Sequence, residues 1–453
     1  MSLFTYVSLF AGLGGFELAL NKLGGECVLA SEIDKFASIA YSAIHGESNL
    51  RGDITKVDAA DVPDHDILVG GFPCQAFSVA GKRGGFDDAR GTLFFEMARL
   101  AAEKQPKLIL AENVKGLVSH DKGKTLDTIV KTLNDIGYRV DFEIMNSKYF
   151  GVAQNRERIF IVGVREDLIE NQPWVNVKGS TVIPKGKRRL AEYPDLKSFN
   201  FDWPKQDEVT TKLIDILEPV VDERYYLSDE KTAALVGRLE PEDTEDAPNI
   251  LHNIYGGFEE KKPRVFKDES PTIRTSAGGG HLPSLLEEVE GLPIKEATKT
   301  GYAVAEEGDA VNFRFPNSNT RRGRVGKQVA NTLEASGISQ GVVEREGCVN
   351  NRGAIETRET SNALDANYAK GMVNHGQRTQ VLESRPSPRY RIRKLTPLEC
   401  FRLQGFSDEV HQTVVDAGIS DSQRYKQAGN AVTVNVIESL GLRLLPLLNR
   451  QQA

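Results

Sequence analysis

The chain has 453 residues, of which 40 % are hydrophobic and 27 % are charged. That is the composition of a soluble globular protein long enough for two or three domains. Its net charge of −7 weighs against a nucleic-acid binder that is basic over its whole surface. The sequence has no apolar run long enough to cross a bilayer and no signal-peptide pattern, so we expect no contact with a membrane.

The four cysteines, Cys27, Cys74, Cys348 and Cys400, are scattered along the chain. They form no CxxC pair, and none has a histidine at metal-ligand spacing. This pattern indicates a reducing compartment and argues against a zinc site or a disulfide framework, so we expect no metal.

A strand, a glycine turn, a helix and a second strand open the chain. Residues 4–10 are rich in aromatic and β-branched types, and 11–15 contain three glycines. Apolar residues follow at helical spacing, and strand 27–31 ends at Glu32. Glycines let a cofactor approach the backbone, and a carboxylate can bind two ribose hydroxyls. Glu17 stands where a dinucleotide fingerprint has its third glycine and would repel phosphate. A nucleoside cofactor without phosphates, such as S-adenosylmethionine, therefore fits better, with Phe10 against its adenine; a turn without function is the alternative.

Two further polar side chains follow predicted strands. The apolar strand 66–71 leads to Cys74, and strand 107–111 is followed by Glu112. Because the carboxyl ends of parallel strands lie at one edge of a sheet, Glu32, Cys74 and Glu112 are expected there together. A structural cysteine is the alternative, but the grouping favours a catalytic one.

Residues 154–158 lie between the two closing strands, 140–145 and 159–164, and contain Arg156 and Arg158. These arginines either belong to the surface or clamp an anionic or carbonyl-bearing substrate near Cys74.

The alternation of strands and helices stops between residues 166 and 388, where polar loops predict an irregular, mostly β region. A weak repeat begins near residues 263, 323 and 353. Basic clusters at 185–189, 321–324 and 385–394 either contact phosphate or are solvated faces. Helical periodicity returns at 396–403, 422–427 and 432–447, and the last helix is expected to pack on the first domain.

The chain resembles DNA (cytosine-5)-methyltransferases of the bacterial and phage restriction–modification type. Six motifs occur in the family's order, at residues 10–16, 71–78, 112–114, 154–159, 393–400 and 427–431. The resemblance covers residues 3–165 and 389–446. It implies an α/β fold with a doubly wound, Rossmann-like methyltransferase domain at 1–165 and a smaller, mostly β target-recognition domain at 166–420. The latter contains a variable region, 166–388, and a family motif, 391–406, while residues 421–453 return to the catalytic domain.

The resemblance also implies the reaction, in which C5 of a specific cytosine in duplex DNA receives a methyl group from S-adenosylmethionine, leaving S-adenosylhomocysteine. Cys74 would add to C6 of a flipped-out base, and Glu112 would protonate N3. Arg158, and more loosely Arg156, would hold the cytosine O2. Residues 82–90 would form the lid.

Further site residues are implied by position. Those of the cofactor pocket are Phe10, Gly12, Leu13, Gly15, Glu32, Ile33, Asp53, Ile54 and Asn430. Because Ile33 stands where many members have an aromatic residue, adenine stacking there should be weaker. Substrate and lid positions are Pro73, Gln75, Ser78, Lys82 and Arg83. Base-reading candidates within the repeats are Arg274, Arg321, Arg322 and Arg324.

Two alternatives share these motifs: a tRNA cytosine-5 methyltransferase and a catalytically inactive DNA-binding relative. The long variable region favours DNA, and the intact Cys74, Glu112 and Arg158 argue against the inactive relative. We expect a monomer acting on double-stranded DNA in the bacterial cytoplasm or nucleoid, with or without a cognate restriction endonuclease.

Overall fold

The structure is a computed structural model, and it describes residues 2–73, 93–175, 177–228, 232, 248–252, 263–273, 283–288, 292–295, 302–305, 310–312, 325–326, 340–342, 348–349, 355–356 and 390–449. The chain divides into two compact units. The first comprises Met1–Leu217, Asp268–Leu282 and Pro397–Ala453, and the second comprises Glu218–Lys267 and Pro283–Thr396. The domain limits expected at 165/166 and 420/421 therefore both fall inside the first unit.

A seven-stranded sheet forms the centre of the first unit, in the order β3-β2-β1-β4-β5-β8-β6. The strands are β1 (Phe4–Leu9), β2 (Gly25–Ser31), β3 (Leu50–Arg51), β4 (Ile67–Gly71), β5 (Leu108–Val114), β6 (Tyr138–Asn146) and β8 (Glu157–Arg165). The first five are parallel neighbours, whereas β8 is antiparallel to both β5 and β6. Central strands read as continuous apolar runs because both faces of the sheet are covered. The short strand β7 (Gln154–Asn155) pairs with β11 (Ser270–Pro271) outside this sheet.

The helices of the first unit lie around this sheet. They are α1 (Gly15–Lys22), α2 (Lys35–His45), α3 (Leu93–Lys104), α4 (Lys124–Asp135), α5 (Val182–Leu190), α6 (Pro397–Arg402), α7 (Asp408–Asp416), α8 (Asp421–Asn430) and α9 (Val434–Leu448). Short 3-10 turns lie at Ile54–Lys56, Ala59–Asp61, Lys115–Val118, His120–Gly123, Ser147–Phe150 and Leu213–Ile216. Side chains from sheet and helices share one apolar core, with Val7, Leu68 and Ile109 fully buried in it.

The last helix returns to the first strands of the chain, as expected, because α9 packs against α1. Gly441 of α9 makes this contact possible: a methyl group on it would lie 2.5 Å from a methyl carbon of Leu23. By length and composition alone, Asp421–Leu448 could cross a membrane, although 56 % of the 18-residue window that passes this test is buried inside the protein. Buried core helices of soluble proteins pass the same test, so this is weak support for a membrane span.

The region between residues 166 and 388 contains a helix, α5, which covers the first basic cluster. Lys187 is buried and forms an ion pair with Asp141 at 2.7 Å, and Arg189 pairs with Asp127 at 2.9 Å. These two cations neutralise acidic groups of the fold, so the cluster at 185–189 is neither a solvated face nor a free phosphate site as a whole.

The second unit is mostly β, as expected. A four-stranded antiparallel sheet in the order β10-β9-β12-β20 joins β9 (Asn249–His252), β10 (Arg264–Lys267), β12 (Ser284–Glu288) and β20 (Tyr390–Lys394) around a core of Leu251, Leu286 and Ile392. The other described strands of this unit are β13 (Leu292–Lys295), β14 (Tyr302–Ala305), β15 (Ala310–Asn312), β16 (Val325–Gly326), β17 (Gln340–Val342), β18 (Cys348–Val349) and β19 (Ile355–Glu356). A 3-10 turn covers Glu223–Tyr225.

The basic residues on β20 are part of this sheet. Arg391 and Arg393 are 5 % and 1 % exposed and pair with Glu223 and Glu287. Their charges are therefore neutralised inside the unit. Arg391 and Arg393, at this end of the cluster at 385–394, do not form a basic surface.

Candidate active site

A cavity of about 830 Å³ opens in the first unit, at the carboxyl ends of the parallel strands. Its walls come from the glycine turn after β1, the ends of β2 and β4, the end of β5, the start of β8 and the segment that joins α8 to α9. The expected gathering of polar residues at this rim is confirmed for the described ones, because Glu32 and Glu112 both line the cavity.

The glycine turn brings its backbone to the cavity. Phe10 and Gly12 line the wall with φ values of 58° and 60°, a left-handed conformation that is strained for Phe10 and easy for Gly12. A methyl group built on Gly12 would have no atom within 4 Å. The turn thus exposes its backbone to open space, which a bound cofactor can fill.

Glu32 is tied to this turn by both carboxylate oxygens. Oε2 accepts from the Gly12 amide at 2.9 Å, and Oε1 accepts from the Asp34 amide at 2.7 Å. Each carboxylate oxygen can accept a further hydrogen bond, so the fixed group can still receive two ribose hydroxyls. Ile33 beside it is 73 % exposed.

The other predicted cofactor residues divide into two groups. Asp53, Ile54 and Asn430 line the cavity, and the Asp53 carboxylate accepts from the Thr55 amide and hydroxyl at 3.1 and 2.7 Å. Leu13 and Gly15 do not line it. Instead the Leu13 carbonyl lies 3.2 Å from Nε2 of His45, and Gly15 packs against Val432.

Glu17 does not face the cavity, although its position in the sequence predicted that it lies near a cofactor phosphate. It is fully buried and does not line the cavity. Repulsion of phosphate by Glu17 is therefore not a reason for preferring a nucleoside cofactor, and that step of the sequence argument was wrong.

Glu112 and Arg158 also line the cavity. Oε1 of Glu112 lies 3.1 Å from Nε of Arg158, and the two side chains are 11 % and 16 % exposed. Gly71 pairs with Glu112 in the parallel register of β4 and β5, and Pro73 lies just beyond it on the cavity wall. Cys74 is the next residue in the chain.

Burial raises the pKa of the Glu112 carboxyl, although the positive charges of Arg158 and Arg156 oppose the rise. Burial also lowers the pKa of the Arg158 guanidinium, which Glu112 opposes. The carboxyl thus tends to hold its proton to higher pH than an exposed glutamate, as suits a group that donates a proton to a ring nitrogen.

Arg156 differs from Arg158 in its partners. It is 2 % exposed, and its guanidinium donates to the carbonyls of Gly429 at 3.2 Å and Ala431 at 2.8 Å. Burial lowers its pKa to about 9, with the positive charge of Arg158 adding to the effect.

Several residues that shape the site were missed from the sequence. Asn113 donates to the Phe72 carbonyl at 2.7 Å and so fixes the backbone before Pro73. Lys426 pairs with Asp34 at 2.7 Å, and both line the cavity. Asn113 lies within the motif at 112–114 and Lys426 adjoins the motif at 427–431, which is the signal that could have pointed to them. No group of three or more His, Cys, Asp or Glu side chains that could hold a metal ion lies within the described ranges.

The remaining predicted site residues lie outside the described residues. They are Cys74, Gln75, Ser78, Lys82 and Arg83 on the segment after β4, and Arg274, Arg321, Arg322 and Arg324 in the repeats.

Comparison with known proteins identifies the class. Residues 4–445 match the family described as C-5 cytosine-specific DNA methylase. The chain is 41 % identical over 453 residues to the orphan methyltransferase M.SPRI of Bacillus phage SPR, covering 97 % of each. It is 37 % identical over 277 residues to the type II methyltransferase M.HhaI of Haemophilus parahaemolyticus, covering 61 % of this chain and 75 % of that one. The chain therefore belongs to the C-5 cytosine-specific DNA methylases.

It is a DNA (cytosine-5-)-methyltransferase, and such an enzyme uses S-adenosylmethionine as methyl donor. The crystal structure of the S. pombe Dnmt2 methyltransferase is similar in fold, with a TM-score of 0.51 at 17 % identity and coverage of 98 % and 99 % of the two chains. The expected α/β methyltransferase fold is thus confirmed.

Proposed function

We propose that the enzyme methylates C5 of one specific cytosine in duplex DNA through a transient covalent bond between Cys74 and C6. The buried pair of Glu112 and Arg158, on a cavity wall that also contains Pro73, the residue before Cys74, is the observation that carries this proposal. It supplies a proton donor and a fixed cation where the pyrimidine ring would react.

The chemistry needs these groups because C5 of cytosine is a poor nucleophile. Addition of the Cys74 thiolate to C6 turns the ring into an enamine-like nucleophile at C5. Glu112 gives its proton to N3, so negative charge does not build up on the ring. Arg158 holds the cytosine O2. Once C5 has accepted the methyl group, loss of the C5 proton to water expels Cys74, and return of the N3 proton to Glu112 restores the aromatic ring.

The residues around the glycine turn fit the cofactor. S-adenosylmethionine supplies, when bound, an electrophilic methyl group. Glu32 would receive its ribose hydroxyls, because Gly12 and Asp34 already hold the carboxylate in place. Phe10 and Ile33 would border the adenine, and Asp53 and Asn430 would complete the polar wall.

A cytosine inside a duplex hides the ring face that Cys74 attacks, so we propose that the target base is flipped out, at a cost of a few kcal/mol. Residues 82–90 would close over it, with Pro73, Gln75, Ser78, Lys82 and Arg83 around the base. The repeats in 166–388 would read the flanking sequence, with Arg274, Arg321, Arg322 and Arg324 as candidates for base or phosphate contacts.

We further propose that the enzyme acts as a monomer in the bacterial cytoplasm. The relative from phage SPR is named an orphan methyltransferase, which supports methylation without a dedicated endonuclease.

Trapping with 5-fluorocytosine tests the covalent step. Duplex DNA with this base at the target should give a stable protein–DNA adduct only with S-adenosylmethionine present, because fluorine blocks the final elimination. The wild-type protein should form the adduct and Cys74→Ala should not. An adduct that survives Cys74→Ala would overturn the assignment of the nucleophile. A parallel assay on tRNA distinguishes the substrate: methylation of tRNA but not of duplex DNA would reject the DNA proposal.

A further inference from the structure

The segment that joins α8 to α9, residues 429–433, forms one wall of the cofactor cavity through Gly429, Asn430, Ala431 and Val432. This segment lies far along the chain from the glycine turn that it covers. Its own backbone is irregular at residues 431–433, since α8 ends at Asn430 and α9 begins at Val434. Its position must therefore be fixed by contacts from elsewhere.

Arg156 supplies one set of those contacts. Its guanidinium binds the Gly429 and Ala431 carbonyls, which flank Asn430, at 3.2 and 2.8 Å. Its backbone is held in turn, because the Asn146 side chain accepts from the Arg156 amide at 3.2 Å and the Arg156 carbonyl accepts from the Ser147 amide at 3.0 Å. The planar guanidinium can bind two carbonyls at once, which an ammonium group cannot do with the same geometry.

A buried chain of side-chain hydrogen bonds supplies the second set. The Thr433 hydroxyl donates to Oε1 of Gln404 at 3.0 Å and lies 2.8 Å from the Ser147 hydroxyl, which then donates to it. Nε2 of Gln404 donates to Oε1 of Gln154 at 3.0 Å. All four residues are buried. A continuous series of hydrogen bonds thus connects Gln154 of β7 with Gln404 after α6, and Gln404 with Thr433 before α9. Ser147 ends the series.

The segment is pressed against the glycine turn. A methyl group on Gly15 would lie 2.8 Å from a methyl carbon of Val432, and one on Gly71 would lie 3.7 Å from its other methyl carbon. A shift of the segment would therefore change the width of the cavity at its glycine-turn side. Arg156 and the hydroxyl chain hold it at one distance.

We propose that Arg156 is a positioning residue rather than a substrate-binding one, and that Arg156 and the chain Gln154–Gln404–Thr433–Ser147 together clamp residues 429–433 as a wall of the cofactor site. This inference rests on the proposed cofactor site, and it separates the roles of the two arginines. Arg158 acts beside Glu112 in the reaction, whereas Arg156 acts on cofactor affinity through the backbone that it holds.

The test measures equilibrium binding of S-adenosylhomocysteine by calorimetry and the steady-state KM and kcat with S-adenosylmethionine, on full-length protein. Thr433→Val removes both hydroxyl contacts with little change in volume, and it should weaken binding by about tenfold or more. Thr433→Ser keeps the hydroxyl and should stay within about threefold of wild type. Arg156→Lys should raise KM more than it lowers kcat, and Arg158→Lys should do the reverse.

The matched control is Arg443→Gln, which removes an exposed ion pair between α9 and Asp202 at 2.6 Å and should leave binding unchanged. The inference fails if Thr433→Val and Arg156→Lys bind S-adenosylhomocysteine as tightly as wild type, or if Thr433→Ser binds as weakly as Thr433→Val. If the wild-type protein itself did not bind S-adenosylhomocysteine, the proposed cofactor site would be rejected as well.

Discussion

Glu112 and Arg158 form a nearly buried ion pair, with Oε1 and Nε 3.1 Å apart, and the reversed direction of β8 produces it. In the antiparallel register Glu112 lies opposite Phe160 and Val114 opposite Arg158. Glu112 and Arg158 are thus diagonal neighbours on one face of the sheet, within reach of long side chains. If β8 ran parallel to β5, the residues at the opposite end of β8 would lie at the cavity rim in place of Arg158.

The first prediction separates the two carboxylates of the cavity. Glu112→Gln should slow methyl transfer by ~10²–10⁴-fold while cofactor affinity stays near normal, because the amide cannot give a proton to N3. Glu32→Ala should weaken cofactor binding first. Single-turnover rates and equilibrium titration with S-adenosylhomocysteine measure both effects. If Glu112→Gln lost the cofactor and Glu32→Ala kept it, the two placements would be wrong.

The pH dependence of the methyl-transfer rate gives a second prediction. Burial raises the pKa of Glu112, so the protonated form needed at N3 persists above the ordinary glutamate range. The single-turnover rate should fall as pH rises through that pKa, because the carboxyl then loses the proton that it donates. Glu112→Gln should lack this decline. A wild-type rate with the same pH dependence as that of Glu112→Gln would contradict the role of Glu112 as proton donor.

The third prediction concerns the close contact between the glycine turn and Val432. The methyl group of Gly15→Ala would lie 2.8 Å from Cγ2 and 3.0 Å from the carbonyl oxygen of Val432, so one of them must move. We expect weaker cofactor binding and a loss of about 1–3 kcal/mol in stability. The control is Gly186→Ala, whose new methyl group meets its nearest atom at an ordinary 3.5 Å. Equal cofactor affinity and unfolding temperature in both variants would contradict the contact.

The fourth prediction concerns the buried ion pair of α5. The ammonium group of Lys187 lies 2.7 Å from Oδ1 of Asp141, with both side chains 2 % exposed. Lys187→Met would leave the buried carboxylate without its counter-charge and should cost about 3–5 kcal/mol. Lys185→Met, on the exposed face of the same helix, should change little. Chemical denaturation compares the two, and equal midpoints would show that the pair contributes nothing.

Much of the fold followed from the sequence because local pattern determines local structure. The strand from Phe4 and the glycine turn were predictable from apolar runs broken by glycines, and so was the rim position of Glu32 and Glu112. The partners of Lys187 were not, since nothing local distinguishes a lysine that is exposed from one that meets an aspartate 46 residues earlier.

The same limit applies to the site. Motif order indicated that Arg156 and Arg158 belong to it, but both arginines look alike in the sequence. Their different partners, the Gly429 and Ala431 carbonyls against the Glu112 carboxylate, arise from chain segments that meet only in the folded protein. The prediction for Glu17 failed in a different way. Its position within a motif predicted that it faces the cofactor, but the helix directs its side chain into the core.

The buried Glu17 carboxyl leads to the last prediction. Burial raises its pKa from 4.5 to about 7, although the hydroxyls of Ser8 and Tyr41 oppose the rise. Between these two pH values the unfolded chain has lost this proton and the folded chain keeps it, so the group lowers the free energy of unfolding as pH rises and has no further effect above about 7. The full effect is about 3 kcal/mol.

Glu17→Gln removes this titration and keeps the size of the side chain. The stability of the variant relative to wild type should therefore increase as pH rises from 4.5 to about 7 and then stay level. The neighbouring Cys27 does not interfere, because burial, with the nearby Glu17 adding to the effect, raises its pKa to about 12. Urea denaturation of both proteins at intervals across this range measures the difference. A difference that does not change with pH would show that Glu17 ionises in the folded protein as it does in the unfolded chain, and the buried site assigned to it would have to be given up.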